Sequence, residues 1–217
     1  MMLLSRLQER FSRLYETPTN YDIYDFLITD PIVANALSPK GVCANDERVL
    51  VSQSDDNLDI SVFVNQRTLT QLSNDNPLVG LHDGNIDPFM LALEGVSHFQ
   101  YLCWNASYDK SVTLLELELQ AEVDKYVTVL SLLSDQGRAA DAGSVHTRLF
   151  ANVSYHDDLS GEDRERYHRA NHYAGKYCRA LNENFPHRSS QPRLLNELRR
   201  FYRLTQNEKI KRITANS

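Results

Sequence analysis

The sequence predicts an α+β fold, predominantly helical, with a small antiparallel β-hairpin and a central helix pair as its core. Three observations lead there. Residues 87–136 hold two long, apolar-rich stretches in succession, DPFMLALEGVSHFQYLCWNAS and SVTLLELELQAEVDKYVTVLSLLSDQ. Two β-branched runs, Val49-Leu50-Val51 and Ile60-Ser61-Val62-Phe63-Val64, flank the polar turn Ser54-Asp55-Asp56-Asn57. Helical periodicity also opens the chain and returns toward its end. The organisation expected is one mainly helical domain over residues 1–192, with the hairpin near 48–65, followed by a basic C-terminal helix and tail over 193–217.

The opening helix rests on Leu3, Leu4, Leu7, Phe11 and Leu14, which recur at helical spacing with Arg6, Arg10 and Arg13 among them. Such arginines could meet an anionic lipid surface, but docking on the helix's own domain is the simpler expectation. The run from 17 to 20 breaks the helix. An aromatic-rich segment over 21–36 follows, interrupted at Pro31, and Ser38-Pro39-Lys40-Gly41 has the composition of a turn. After the hairpin, residues 68–72 are expected to add a helical turn, and 73–85 form a polar loop with Pro77, Gly80 and Gly84. Asp55, Asp56 and Asp59 lack the glycine and distant glutamate of an EF-hand loop, which makes them a solvated turn.

Asp87 before Pro88 signals the start of the first long helix, with proline at a position where its missing N–H costs nothing. At about 100° per residue, Asp87, Glu94, His98 and Asn105 fall within roughly 40° of one another. On geometry alone this stripe is the wet edge of a helix otherwise apolar all round. In the second helix Glu118 and Glu122 stack four residues apart, beside Leu114, Leu115, Ala121, Val129, Leu132 and Leu133. Glu116, Gln120 and Ser131 point the other way, among Val123 and Val127. No single orientation keeps every acid wet and every leucine dry. Some carboxylates therefore sit among apolar neighbours, a costly state relieved by protonation, ion pairing or metal coordination. Lys125 stands within reach of Glu118 or Glu122.

Residues 137–144 are small and polar, a candidate joint, and 145–155 add a short strand or helix. A helix begins near Ser160, with Glu162 and Asp163 in its first turn. It carries His168 and His172 four apart, a spacing able to bind metal, but Ala170, Tyr173, Ala174, Tyr177 and Leu181 form the opposite, apolar face. The two histidines are expected in solvent. From 193 to 212 seven lysines and arginines oppose two glutamates, beside an apolar stripe of Leu194, Leu195, Leu198, Phe201 and Tyr202.

A net charge of −6 argues against a surface that coats nucleic acid as a whole. The three cysteines, Cys43, Cys103 and Cys178, imply neither a disulfide framework nor a zinc knuckle and fit a reducing, cytoplasmic setting. No run approaches the roughly 18 apolar residues of a membrane span, and the short apolar start is broken at Arg6. Zincin, nucleophile-elbow, Walker and dinucleotide signatures are absent. The dipeptides His82-Asp83 and His156-Asp157 fall in loops. Cys103 is five residues from His98 on another helix face, so it reads as core rather than nucleophile.

Acids and a histidine on helices resemble, in general pattern, the helical metal-carboxylate proteins. Those repeat Glu-x-x-His on two helices, whereas this chain carries Glu94-x-x-x-His98 once, and no activity is carried over. The functional expectation is a divalent-metal site, hydrolytic in chemistry, with Glu94, His98, Glu118 and Glu122 as ligands for zinc, manganese or iron. Glu122 would double as the base that takes a proton from water, and Asp124 points elsewhere. The alternative is a non-catalytic module that holds an acidic protein or nucleic acid through Arg199, Arg200, Arg203, Lys209 and Lys211.

Overall fold

Local signals set most element boundaries, and burial of the apolar stripes then fixes which elements meet. A computed structural model describes residues 2–38, 46–54, 57–138, 142–151, 159–185 and 192–215. Two units result, one from Met1–Arg13 and Thr17–Ser111, the other from Leu14–Glu16 and Val112–Ser217. The two long helices fall in different units, and each forms the core of its own.

In the first unit helix α1 (Leu3–Tyr15) buries Leu4, Leu7 and Phe11. Gln8, buried with them, is matched to backbone: its amide donates to the Tyr21 carbonyl and its oxygen accepts from the N–H of Ile23. Asp22 caps a short 3-10 turn, Ile23–Phe26, which runs into strand β1 (Leu27–Ile28). Asp30 then caps α2 (Pro31–Leu37), so Pro31 opens a helix instead of interrupting one; a proline at the first helical position forfeits no bond. Strands β2 (Glu47–Ser54) and β3 (Asn57–Val64) form the expected antiparallel pair, longer than its β-branched runs. The sheet is nevertheless mixed, because β1 pairs in parallel with β3, giving the order β1-β3-β2.

The register places Glu47, Val49 and Val51 opposite Val64, Val62 and Ile60. Alternation along a strand puts these side chains on one face, and α4 (Ile86–Ala106) lies on it, with Gly95 against Val62 and Glu47. On the other face Arg48 lies over the Phe63 ring and donates to Ser38 Oγ and Asn35 Oδ1. Helix α3 (Gln66–Asn74), capped by Asn65, is longer than the single turn expected and packs on α4.

Helix α4 starts two residues earlier than a cap at Asp87 implies. Asn85 is its N-cap, and Asp87 falls in the first turn. Asn85 is fully buried and knits the preceding loop, accepting from the N–H of His82 and donating to the Gly80 carbonyl and Asp75. Phe89, Leu93, Val96 and Phe99 fill the core beneath it.

In the second unit Thr113 caps α5 (Leu114–Asp135), its hydroxyl accepting from the N–H of Glu116. Helix α5 packs on α6 (Ala142–Phe150) and α7 (Gly161–Asn184), the latter capped by Ser160 as expected. Nε2 of His146 donates to the Gly175 carbonyl, and Phe150 closes on Gly175. The basic stretch holds two helices, α8 (Pro192–Tyr202) and α9 (Gln206–Ala215). Glu208 in the first turn of α9 accepts from both the N–H and the hydroxyl of Thr205, which ties the residue before the helix to its start. Stacked rings, Tyr15 on Tyr202 at 4.0 Å and Tyr177 on Phe201 at 3.8 Å, complete this core. No helix among the described residues is long and apolar enough to cross a membrane.

Candidate functional site

Helix α4 carries the first two candidate ligands. Glu94 and His98 are one turn apart and so share a side of the helix. Glu94 is half-buried, His98 is only 3% exposed, and Asn105 on the same stripe is buried too. Asp87 at the start of the helix is exposed, but from Glu94 onward the stripe is no wet edge. It is a polar seam inside a helix that is apolar elsewhere, and Nδ1 of His98 meets the Glu47 carboxylate of β2 at 3.5 Å, both groups being buried. Glu47 escaped the sequence reading. Its signal was the alternation Glu47, Val49, Val51, which puts the acid on the same strand face as two valines.

Helix α5 carries the other two. Glu118 is 8% exposed and Glu116 and Asp124 are buried as well, as the clash between acids and leucines on this helix demanded. Each acid is compensated inside the unit. Arg166 of α7 reaches within 3.9 Å of Glu118 and is itself tied to Asp163 at 2.7 Å. Asp163, which accepts from the Ser160 hydroxyl and from Arg166, is held below the usual carboxylate range by those bonds. Lys125 pairs with Glu122, its i−3 neighbour, at 2.8 Å, one of the two pairings the sequence offers. Glu116 accepts from the N–H of Gln206 at the start of α9.

A buried polar chain crosses the second unit. Nζ of Lys209 donates to Gln120 Oε1 at 2.7 Å, and Gln120 Nε2 donates to Asp124 Oδ1 at 2.8 Å. The Tyr15 hydroxyl donates to the same oxygen of Asp124. Lys209 is fully buried beneath the Phe201 ring. Desolvation pulls its ammonium down to about 7, against the opposing pull of Glu116 and Asp124. Burial and the adjacent Asp124 push the Tyr15 phenol well above its ordinary range, so it stays a donor.

This corrects the basic-surface expectation. Lys209 cannot face a partner, because it shares the buried side of α9 with Ile213 one turn on. Arg199 donates to the Leu14 carbonyl and pairs with Glu16, while Arg203 donates to the carbonyls of Tyr15 and Glu16. These two arginines bind the end of α1 within their own unit. Arg200 and Lys211 are exposed.

Three other readings are settled by placement. His168 and His172 are both exposed, as the wheel of α7 required. Cys103 is buried, and burial pushes its thiol up to about 12, which leaves no thiolate for nucleophilic work at neutral pH. His82 is engaged with Asp75 and the N–H of Gly84 in the loop before α4. The acidic turn at Asp55 and Asp56, the dipeptide His156-Asp157, Cys43, the 39–41 part of the turn after Ser38 and the 139–141 part of the candidate joint lie outside the described residues. The 142–144 part of that joint belongs to α6, which extends to Phe150.

Comparison with known proteins yields no match: no family model fits the chain, and no curated protein or solved structure matches it.

Proposed function

We propose that the chain carries a divalent-metal centre held by Glu94 and His98 of α4 with Glu118 of α5, and that its chemistry is hydrolytic. The observation that carries this reading lies on α4: the Glu94 carboxylate and the His98 imidazole stand one turn apart on its polar seam, an oxygen and a nitrogen donor that one divalent ion could take, with Glu118 the further ligand expected from the sequence. Two carboxylates with one imidazole suit zinc, manganese or iron. Three protein donors leave coordination positions for water and substrate, the pattern of a catalytic centre as opposed to a closed structural one. A bound divalent ion would supply Lewis acidity and a nucleophilic water near neutral pH.

The chain's own residues have distinct parts in this proposal. Burial of His98 and Glu118 disfavours bulk water as their partner, and a bound cation would act on Glu118 alongside Arg166, which stands at 3.9 Å. Glu122, one turn beyond Glu118 and held by Lys125, is the proposed proton acceptor. Asp124 is committed to Tyr15 and Gln120 and takes no part. The competing reading, a basic docking helix, is weakened because Lys209 is buried and Arg199 and Arg203 are bound within their own unit.

The test is titration of chelator-stripped protein with Zn2+, Mn2+ and Fe2+, repeated with His98→Ala and Glu118→Ala. Saturable binding near one ion per chain, weakened at least tenfold by each substitution, supports the proposal. Equal affinity in wild type and both variants removes it.

A further inference from the structure

Glu47 opens β2 and pairs in register with Val64, two residues from the Val49–Val62 pair on the same face. That face meets α4 where α4 carries Gly95. A Cβ at Gly95 would stand 3.1 Å from Val62 Cγ1 and 3.3 Å from Glu47 Oε1, so the glycine is what lets the acid approach the helix. Three residues on, His98 turns Nδ1 to the same carboxylate at 3.5 Å, with Glu47 7% and His98 3% exposed. A carboxylate buried here is expensive unless it accepts hydrogen bonds, and Nδ1–H is a donor at hand. The two ring nitrogens of a neutral imidazole divide donor and acceptor roles between them. A carboxylate at Nδ1 therefore favours the tautomer whose lone pair is on Nε2.

We propose that Glu47 is a positioning residue of the metal centre: it accepts from Nδ1–H of His98 and so fixes the ring and the tautomer that present Nε2 to a divalent cation. This inference rests on the metal reading given above. It adds to that reading a residue from the sheet, which makes β2 part of the site's support. Carboxylates that orient a metal-binding histidine from behind also raise its basicity, and their loss typically weakens metal affinity 10- to 100-fold. A merely structural Glu–His pair would leave the choice of nitrogen and the affinity for metal unrelated.

The experiment uses the full chain labelled with 15N-histidine and Zn2+ as the probe. In the metal-free wild type, the His98 nitrogen resonances are expected to show a protonated Nδ1 and an unprotonated Nε2. Glu47→Gln is expected to weaken Zn2+ binding 10- to 100-fold, and Glu47→Asp to recover part of the loss. A protonated Nε2 with a free Nδ1, or Zn2+ affinity unchanged in Glu47→Gln, overturns the assignment of Glu47 while leaving the metal centre standing. A wild type that binds no Zn2+, Mn2+ or Fe2+ overturns the metal centre and this inference with it. The nitrogen spectra need no substitution, so misfolding of a Glu47 variant does not shield the proposal.

Discussion

Replacing Lys209 by methionine tests the claim that its amine sits uncharged in the core at mildly alkaline pH. The side chain is fully buried against Phe201 and Gln120, with Glu116 and Asp124 as the charges acting on it. Folded, the ammonium loses its proton near about 7; unfolded, it does so near ~10.4. Between those values the unfolded chain holds a proton the folded chain lacks, so lowering the pH favours unfolding and raising it favours the fold. The slope for one proton is at most about 1.4 kcal/mol per pH unit. From pH 7.5 to 9.5 wild type should therefore gain about 2 to 3 kcal/mol relative to Lys209→Met, an upper estimate since the titration is gradual. Urea unfolding of both proteins at four pH values in that window measures the difference, and groups that titrate alike in both cancel. A difference that stays flat with pH would mean that the amine keeps its charge in the fold, and the desolvation argument would fail.

Other expectations concern single contacts, each measured by denaturant unfolding. Thr113→Ala removes the cap of α5 and a hydroxyl bonded to Gln206, and should cost about 1 kcal/mol. Unchanged stability would mean that the end of the helix is held by packing alone. Tyr15→Phe deletes a donor to buried Asp124 and should cost about 1–3 kcal/mol, whereas a neutral outcome would show that the carboxylate's other contacts, Gln120 among them, suffice. Gly175→Ala places a methyl 3.2 Å from Phe150 Cβ. The gain in helix propensity offsets part of the overpacking, leaving a net loss of about 1 kcal/mol. A gain in stability would show that α6 yields to the methyl.

Much of the helical architecture was legible because local chemistry and burial agreed. Leu4, Leu7 and Phe11 mark one face of α1, Ser160 with Asp163 marks the start of α7, and the apolar wheel of α7 left His168 and His172 in solvent. The buried acids of α5 were legible for the opposite reason: Glu116, Glu118 and Asp124 could not all be wet while their neighbours were dry. What escaped depends on contacts distant in sequence. Strand β1 is two residues long and exists only because β3 offers Val62 and Phe63 as partners, which no periodicity reveals. Lys209 looked like surface charge, since composition weighs a lysine by its ammonium and not by the helix face it occupies. Glu47 stood 51 residues from His98, and only the β2–β3 register brought it beneath α4. The start of α4 differs by two residues from the one the sequence signals, because Asp87-Pro88 is the stronger local signal, while Asn85 is committed to the loop before it.

Elemental analysis of protein purified without chelator or added metal, paired with unfolding of the same sample with and without EDTA, tests the central claim most directly. The account predicts bound zinc, manganese or iron near one ion per chain, and a stability lowered by EDTA that returns on adding the metal. Restored free metal at about 100 times its dissociation constant should give back about 3 kcal/mol. Metal-free protein that takes up none of the three ions, with unfolding unchanged by EDTA, would contradict it and leave Glu94, His98 and Glu118 as structural residues.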